Sequence, residues 1–136
     1  DSEAVQQRLN VILSRMISVL DTKARTGSKE SFYHGLLLGL LRSETEWLIL
    51  SNAESGDGFC DIIVEPDDLD KGIVIEVKYA DSMDKLEKAC AAALQQIEAR
   101  RYDERLRNEG RTEIMAFGVA FCRKRCRVMC RGYEMV

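Results

Sequence analysis

Two short apolar runs, GDGFCDIIVEP over residues 56–66 and GIVIEVKYA over residues 72–80, are separated only by the polar stretch DDLDK. Such runs, bounded by turn formers, predict two strands joined as an antiparallel hairpin. With the turn at Asp67-Asp68-Leu69-Asp70, Pro66 faces Lys71, and counting outward sets Asp61 opposite Glu76. Opposed residues share a face, and so do residues two apart on one strand. This register gathers Asp61, Glu76 and Lys78 on one side. It leaves Ile62 and Val64 against Ile75 and Ile73 on the other, an apolar surface for a core. A slip of one residue spoils both faces at once.

A chain of 136 residues suffices for one domain with its own hydrophobic core. A single domain is expected, with an N-terminal helix and linker over 1–27 and the core over 28–136. The chain starts at Asp1 rather than Met and enters a helical pattern at once, so it reads as a fragment of something longer. Its longest apolar run, Gly35 to Leu41, is far too short to span a bilayer. No basic segment followed by an apolar one marks secretion, so a cytoplasmic protein without a membrane partner is expected. The net charge of −3 argues against a broad basic surface wrapped by nucleic acid, but leaves room for an acidic metal site with basic flanks. Basic residues do cluster, at Arg100-Arg101, Arg105 and Arg107, and Arg123-Lys124-Arg125 with Arg127 and Arg131. They read first as solvated faces. Cysteines 60, 90, 122, 126 and 130 are odd in number, which suits free thiols in a reducing compartment. Cys122, Cys126 and Cys130 are spaced by four, without a CxxC pair or a second histidine, so no zinc site is expected.

Along the chain, Val5, Leu9, Ile12, Leu13, Met16, Ile17 and Leu20 form a helical stripe over about Ser2 to Asp21. Thr26-Gly27-Ser28 is expected to break it, with Ser28 capping a second helix over Lys29 to Arg42. Phe32, Leu36, Leu37, Leu40 and Leu41 would be the core face of that helix. Trp47 to Glu54 reads as a strand, and Gly56-Asp57-Gly58 turns into the hairpin. A long helix is expected from Met83 to Asn108, ended by Gly110. Ile114 to Phe121 suits a strand buried on both faces, and Arg125 to Cys130 a last, more exposed one. Helices against a small mixed sheet make this an α/β fold.

Two carboxylates on adjacent strands suit a hard cation such as Mg²⁺ or Mn²⁺, which takes oxygen ligands and leaves positions for water and phosphate. Asp61 and Glu76 would supply them, with the carbonyl of Val77 as a third ligand. Such an ion lowers the pKa of a bound water and neutralises charge on phosphorus. Lys78 would orient that water or stabilise the transition state. Two carboxylates brought together with no cation raise each other's pKa, so the three residues make most sense as a set. Spacing alone supports a second reading equally: Glu76 and Lys78 line the exposed face of a hairpin, and Asp61 is an acid at its turn edge.

The chain resembles the PD-(D/E)XK nuclease superfamily, in which an Asp and a Glu-x-Lys lie on the second and third strands of an αβββαβ core. Here these are Asp61, Glu76 and Lys78. It is similar to one bacterial branch of nuclease-like domains found C-terminal to an ATPase-like domain. The branch's blocks appear in order as Glu30-Ser31-Phe32-Tyr33-His34-Gly35 through Leu41, Ser51-Asn52-Ala53-Glu54-Ser55-Gly56-Asp57-Gly58, Glu76-Val77-Lys78, and Ala93-Leu94-Gln95-Gln96-Ile97 with Tyr102. The resemblance implies a restriction-endonuclease-like fold with an extra N-terminal helix. It also implies that Glu30 joins the metal site and that Gln96 approaches it from the long helix. Gln96 read by itself is a solvated helix position. His34, one turn beyond Glu30, would orient Glu30, touch a phosphate, or be a hydrogen-bonded boundary residue. Tyr102 reads as packing and Glu54 as the end of its strand.

One departure stands out. The branch has arginine after the second glycine of its turn, where this chain has Phe59. An arginine there can pair with a carboxylate or a phosphate, and phenylalanine can do neither. The first functional expectation is a metal-dependent nuclease hydrolysing DNA, with RNA as an alternative substrate and an ATPase-like domain in the same longer chain. The second is a catalytically silent module that binds or regulates that ATPase. Nothing in the sequence sets the oligomeric state.

Overall fold

The computed structural model describes residues 2–16 and 26–134. Two helices, α1 (Ser2–Met16) and α2 (Thr26–Glu44), precede β1 (Leu48–Ser55), β2 (Gly58–Glu65) and β3 (Lys71–Tyr79). A 3-10 turn (Met83–Lys85) leads into α3 (Leu86–Ala99) and α4 (Glu104–Asn108), and the chain ends with β4 (Glu113–Cys122) and β5 (Arg125–Glu134). The five strands form one sheet in the order β1-β2-β3-β4-β5, with β3 and β4 parallel and the other neighbours antiparallel. This is the expected α/β architecture, a mixed sheet covered by helices on both faces. Among the described residues no helix is long and apolar enough to cross a membrane.

The hairpin register is the one the sequence requires: Ile62 pairs with Ile75, Ile63 with Val74, and Val64 with Ile73. Ile62, Val64, Ile75 and Val77 join Leu9, Leu13, Tyr33 and Leu37 in one core under α1 and α2. Ile63, Val74, Ile114 and Ala116 pack on the opposite face against Leu94, Ile97, Tyr102 and Leu106. β4 is an interior strand between β3 and β5, and residues 118–122 on it are all buried, as its apolar run demands.

Two expectations for the first helices are corrected. Thr26, Gly27 and Ser28 are helical, so Ser28 is no N-cap; a glycine costs a helix only about 1 kcal/mol, which tertiary packing readily offsets. Ile17, Leu20 and Asp21 of the first stripe lie outside the described residues. The buried face of α2 centres on Tyr33 and Leu37, while Phe32, Leu36, Leu40 and Leu41 are only partly buried. Tyr33 stacks on Phe121 at 4.6 Å between ring centroids and donates its hydroxyl to the Arg123 carbonyl at 2.6 Å.

The long helix is divided. Tyr102 N–H bonds to Ile97 O and Arg101 N–H to Glu98 O, a helix-ending pattern that places the donor of the inner bond in the left-handed region. That residue is Arg101, with φ of 54°. Without a glycine there, the stop carries no sequence signal. Gly110 does end α4 as expected, with φ of 90° and Arg111 N–H returning to Leu106 O.

Edge strand β5 is covered by side chains of α1. Asn10 accepts from Cys126 N–H at 2.7 Å and donates to the Cys126 carbonyl, and Gln6 accepts from Val128 N–H at 2.8 Å. Such capping protects an edge from pairing with other chains. On the other face α3 approaches β4 closely: a Cβ on Gly118 would lie 2.5 Å from the Cys90 carbonyl oxygen. Gly118→Ala is therefore expected to destabilise the domain by about 1–3 kcal/mol, read as a lowered urea midpoint at an unchanged slope.

Candidate active site

The β2–β3 ladder stops at Ile62 and Ile75, and side chains take over from the backbone just beyond it. Asp61 Oδ2 accepts from Val77 N–H at 2.8 Å, and Glu76 Oε1 accepts from Asp61 N–H at 3.3 Å. The β1–β2 pairing passes from Ser51 with Ile62 to Ala53 with Cys60. Between them Asn52 adopts a left-handed backbone, φ of 50°, which short polar side chains tolerate. Alternation resets here: Cys60 packs in the cluster under α3, although Ile62 faces α1 and α2. Asp61 thus does not simply share a face with Glu76 and Lys78, as strict alternation requires. It lines an open cleft of about 290 Å³ with Glu30, Ser31 and His34 of α2 and with Asn52.

Glu76 and Lys78 turn toward α3, where Gln96 joins them. Gln96 Nε2 donates to Glu76 Oε2 at 2.6 Å, and Lys78 Nζ donates to Gln96 Oε1 at 2.6 Å. An ammonium can only donate and a carboxylate only accept, so this arrangement fixes which way the amide points. Lys78 also stands 3.8 Å from Glu76 Oε2. The bland reading of Gln96 as a solvated position is excluded by these bonds.

Glu76 is only 3 % exposed. Burial, followed by the negative charge of Asp61, pushes its carboxyl up to about 8, against the opposing pull of the Asp61 N–H and of Lys78. Each carboxylate thus accepts from the other's strand, Asp61 from Val77 N–H and Glu76 from Asp61 N–H, which ties the two residues across the splayed strands. Cys60, beneath them, donates to the carbonyls of Ile62 and Ile75. Its thiol is raised strongly by burial and by the charge of Glu76, which makes it inert as a nucleophile.

Of the three readings of His34, the structure shows the hydrogen-bonded boundary residue. Its Nε2 lies 3.0 Å from Ser51 Oγ, and its Nδ1 lies 4.0 Å from Asp61 Oδ1. It sits between β1 and Asp61 instead of bracing Glu30. Glu30 lines the same cleft. Among the described residues, no group of three or more His, Cys, Asp or Glu side chains is close enough to hold a metal ion. Two carboxylates suffice for Mg²⁺ when water and phosphate complete its shell.

The remaining sequence candidates separate from this centre. Glu54 is exposed and lines a groove with Glu104, Arg105 and Glu109, as an acid at the end of its strand. Phe59 is 62 % exposed opposite Glu54. Tyr102 is buried, but its role is more than packing, because its hydroxyl accepts from Gln96 Nε2 at 3.1 Å. Ser51 and Asn52 were visible only as part of a motif block. Arg101 pairs with Asp57, Arg105 with Glu109, Arg107 with Asp103, Arg127 with Glu87 and Arg131 with Glu98. Among the described residues Arg123, Lys124 and Arg125 form no ion pair. They turn from β4 to β5 beyond Phe121, which lies beside Tyr79 at the end of β3.

Compared with models of known families, residues 28–130 match that of the PD-(D/E)XK nuclease superfamily. Neither a search of curated proteins nor one of solved structures returned a match.

Proposed function

Since this chain belongs to the PD-(D/E)XK nuclease superfamily, we propose that it is a divalent-metal-dependent nuclease domain that hydrolyses phosphodiester bonds in DNA. The observation that carries this reading is the Asp61–Glu76 pair: burial, and after it the charge of Asp61, pushes the Glu76 carboxyl up to about 8. Such a pair is electrostatically incomplete, and a small divalent cation satisfies it with two oxygen ligands. The donor set therefore fits Mg²⁺ or Mn²⁺. Asp61 and Glu76 would hold the ion, with Glu30 and His34 on the wall of the adjoining cleft.

When bound, the ion supplies Lewis-acid stabilisation of the phosphate and acidifies a water. The chain's own groups do the rest. Lys78, 3.8 Å from Glu76 Oε2, would stabilise negative charge developing on the phosphate. Gln96 holds Lys78 Nζ through its carbonyl and Glu76 through its amide, which keeps the cation and the acid apart while each stays anchored. Backbone contacts to DNA come from the unpaired basic turn at Arg123-Lys124-Arg125 and from Lys29, whose Nζ bonds the Tyr79 hydroxyl at 3.4 Å. Contacts of this kind are independent of sequence. The α4 arginines, engaged with acids of their own surface, contribute less. RNA is the alternative substrate, and an ATPase-like domain in a longer cytoplasmic chain belongs to the same proposal.

A silent binding module is the competing reading, favoured by Phe59 and by the hydrogen bonds that already occupy both oxygens of Glu76. Incubation with supercoiled plasmid and with single-stranded DNA decides between them. Cleavage that needs Mg²⁺ or Mn²⁺ and stops with chelator is expected; DNA left intact at every metal concentration would sink the nuclease reading.

A further inference from the structure

The Ser55-Gly56-Asp57-Gly58 turn makes no contact with the carboxylates, and yet its polar groups converge on the end of α3. Ser55 Oγ donates to the Tyr102 carbonyl at 2.6 Å and accepts from Arg105 N–H at 3.1 Å. Asp57 N–H bonds to the Arg100 carbonyl at 2.9 Å, and the Arg101 guanidinium grips both oxygens of Asp57 at 2.8 and 3.3 Å. Gly56 has φ of 57°, and a Cβ there would lie 2.2 Å from the Arg101 carbonyl oxygen. At Gly58 a Cβ would come within 3.3 Å of the Tyr102 hydroxyl. The turn is a clasp, and what it clasps is the residue pair around Tyr102.

We propose that Tyr102 is a positioning residue whose hydroxyl, seated by the residue 55–58 clasp, sets the plane of the Gln96 amide and so the separation of Lys78 from Glu76. The inference rests on the reading of Asp61 and Glu76 as a metal-dependent nuclease centre. Gln96 Nε2 divides its two donors between Glu76 Oε2 and the Tyr102 hydroxyl. With the hydroxyl gone, one half-buried N–H loses its acceptor, a state the amide relieves by turning. Lys78 then loses the carbonyl that holds it and closes on Glu76, from which it now stands 3.8 Å away. A lysine seated on Glu76 competes with a divalent cation for that carboxylate.

The test uses ¹⁵N-labelled protein with Tyr102→Phe, which keeps the buried ring, and Ser55→Ala, which keeps Tyr102 whole but opens the clasp. The Gln96 side-chain amide signals are identified by their loss in Gln96→Ala. In both variants these signals should shift, and their exchange with water should quicken by roughly tenfold. Mn²⁺ affinity, measured by calorimetry, should fall several-fold in Tyr102→Phe. With plasmid substrate kcat should fall about tenfold at unchanged KM. Gln96 signals and Mn²⁺ affinity that match the wild type in Tyr102→Phe would overturn the proposal. If the wild-type protein cuts no DNA, the nuclease reading fails, and the amide signals and Mn²⁺ affinity still decide whether Tyr102 positions Gln96.

Discussion

Asp61→Ala and Lys78→Ala should each lower metal-dependent DNA cleavage by roughly a thousandfold or more, the scale set by losing a metal ligand or a charge aimed at the reacting phosphate. The two losses have different causes and can be separated. Asp61 also accepts from Val77 N–H, so alanine there leaves a strand amide without its acceptor, at about 1–3 kcal/mol. Asp61→Asn keeps an oxygen for Val77 and removes only the charge. It should therefore retain most of the stability lost by Asp61→Ala and none of the activity. Lys78→Ala removes a partner from Gln96 and no backbone acceptor, so its urea midpoint should stay close to that of wild type. Plasmid nicking beside urea denaturation measures both quantities. Cleavage that persists in both alanine variants would mean a contaminating enzyme or another site.

Without divalent ions, the domain should lose stability as pH rises between the ordinary carboxylate value of 4.5 and about 8. Burial and Asp61 raise Glu76 in the folded state, so folding takes up a proton throughout that interval. The unfolded chain binds fewer protons than the native one there, and the slope of unfolding free energy with pH is negative. The contribution is full below 4.5 and is lost by about 8, amounting to a few kcal/mol on the conversion of a pKa shift to free energy. Glu76→Gln keeps an oxygen facing Gln96 but does not ionise. Its urea midpoint should be nearly flat over this range and above that of wild type at alkaline pH. Glu65, raised chiefly by a hydrogen bond with Glu109, adds a smaller slope of the same sign. Mg²⁺ or Mn²⁺ at alkaline pH should restore stability by binding the ionised pair. A wild-type slope that survives Glu76→Gln would assign the effect to another group.

Residues whose neighbours are set by local pattern were legible before any coordinates. The period-two alternation from Ile62 to Val64 and from Ile73 to Ile75 admits one register that buries its apolar side, and the structure adopts it. The apolar run of β4 marks an interior strand for the same reason, and Gly110 ends its helix because a left-handed residue is needed there. The left-handed Arg101 carries no such mark, because its strain is compensated by Asp57 and Gly56 from a turn more than forty residues earlier. Motif resemblance brought Glu30 and Gln96 into view and pointed Gln96 toward Glu76 and Lys78, which it bonds.

Sequence alone thus determined the hairpin and its register, which follow from hydrophobic burial acting over a few residues, and offered Asp61, Glu76 and Lys78 as candidates. Tertiary structure decided how those three are shared out. Asn52 breaks the alternation and turns Asp61 into the α2 cleft beside His34, while α3 brings Gln96 between Glu76 and Lys78 and Tyr102 behind Gln96. Contacts between residues distant in the chain depend on how helices seat on the sheet, and no periodicity within a single strand encodes them.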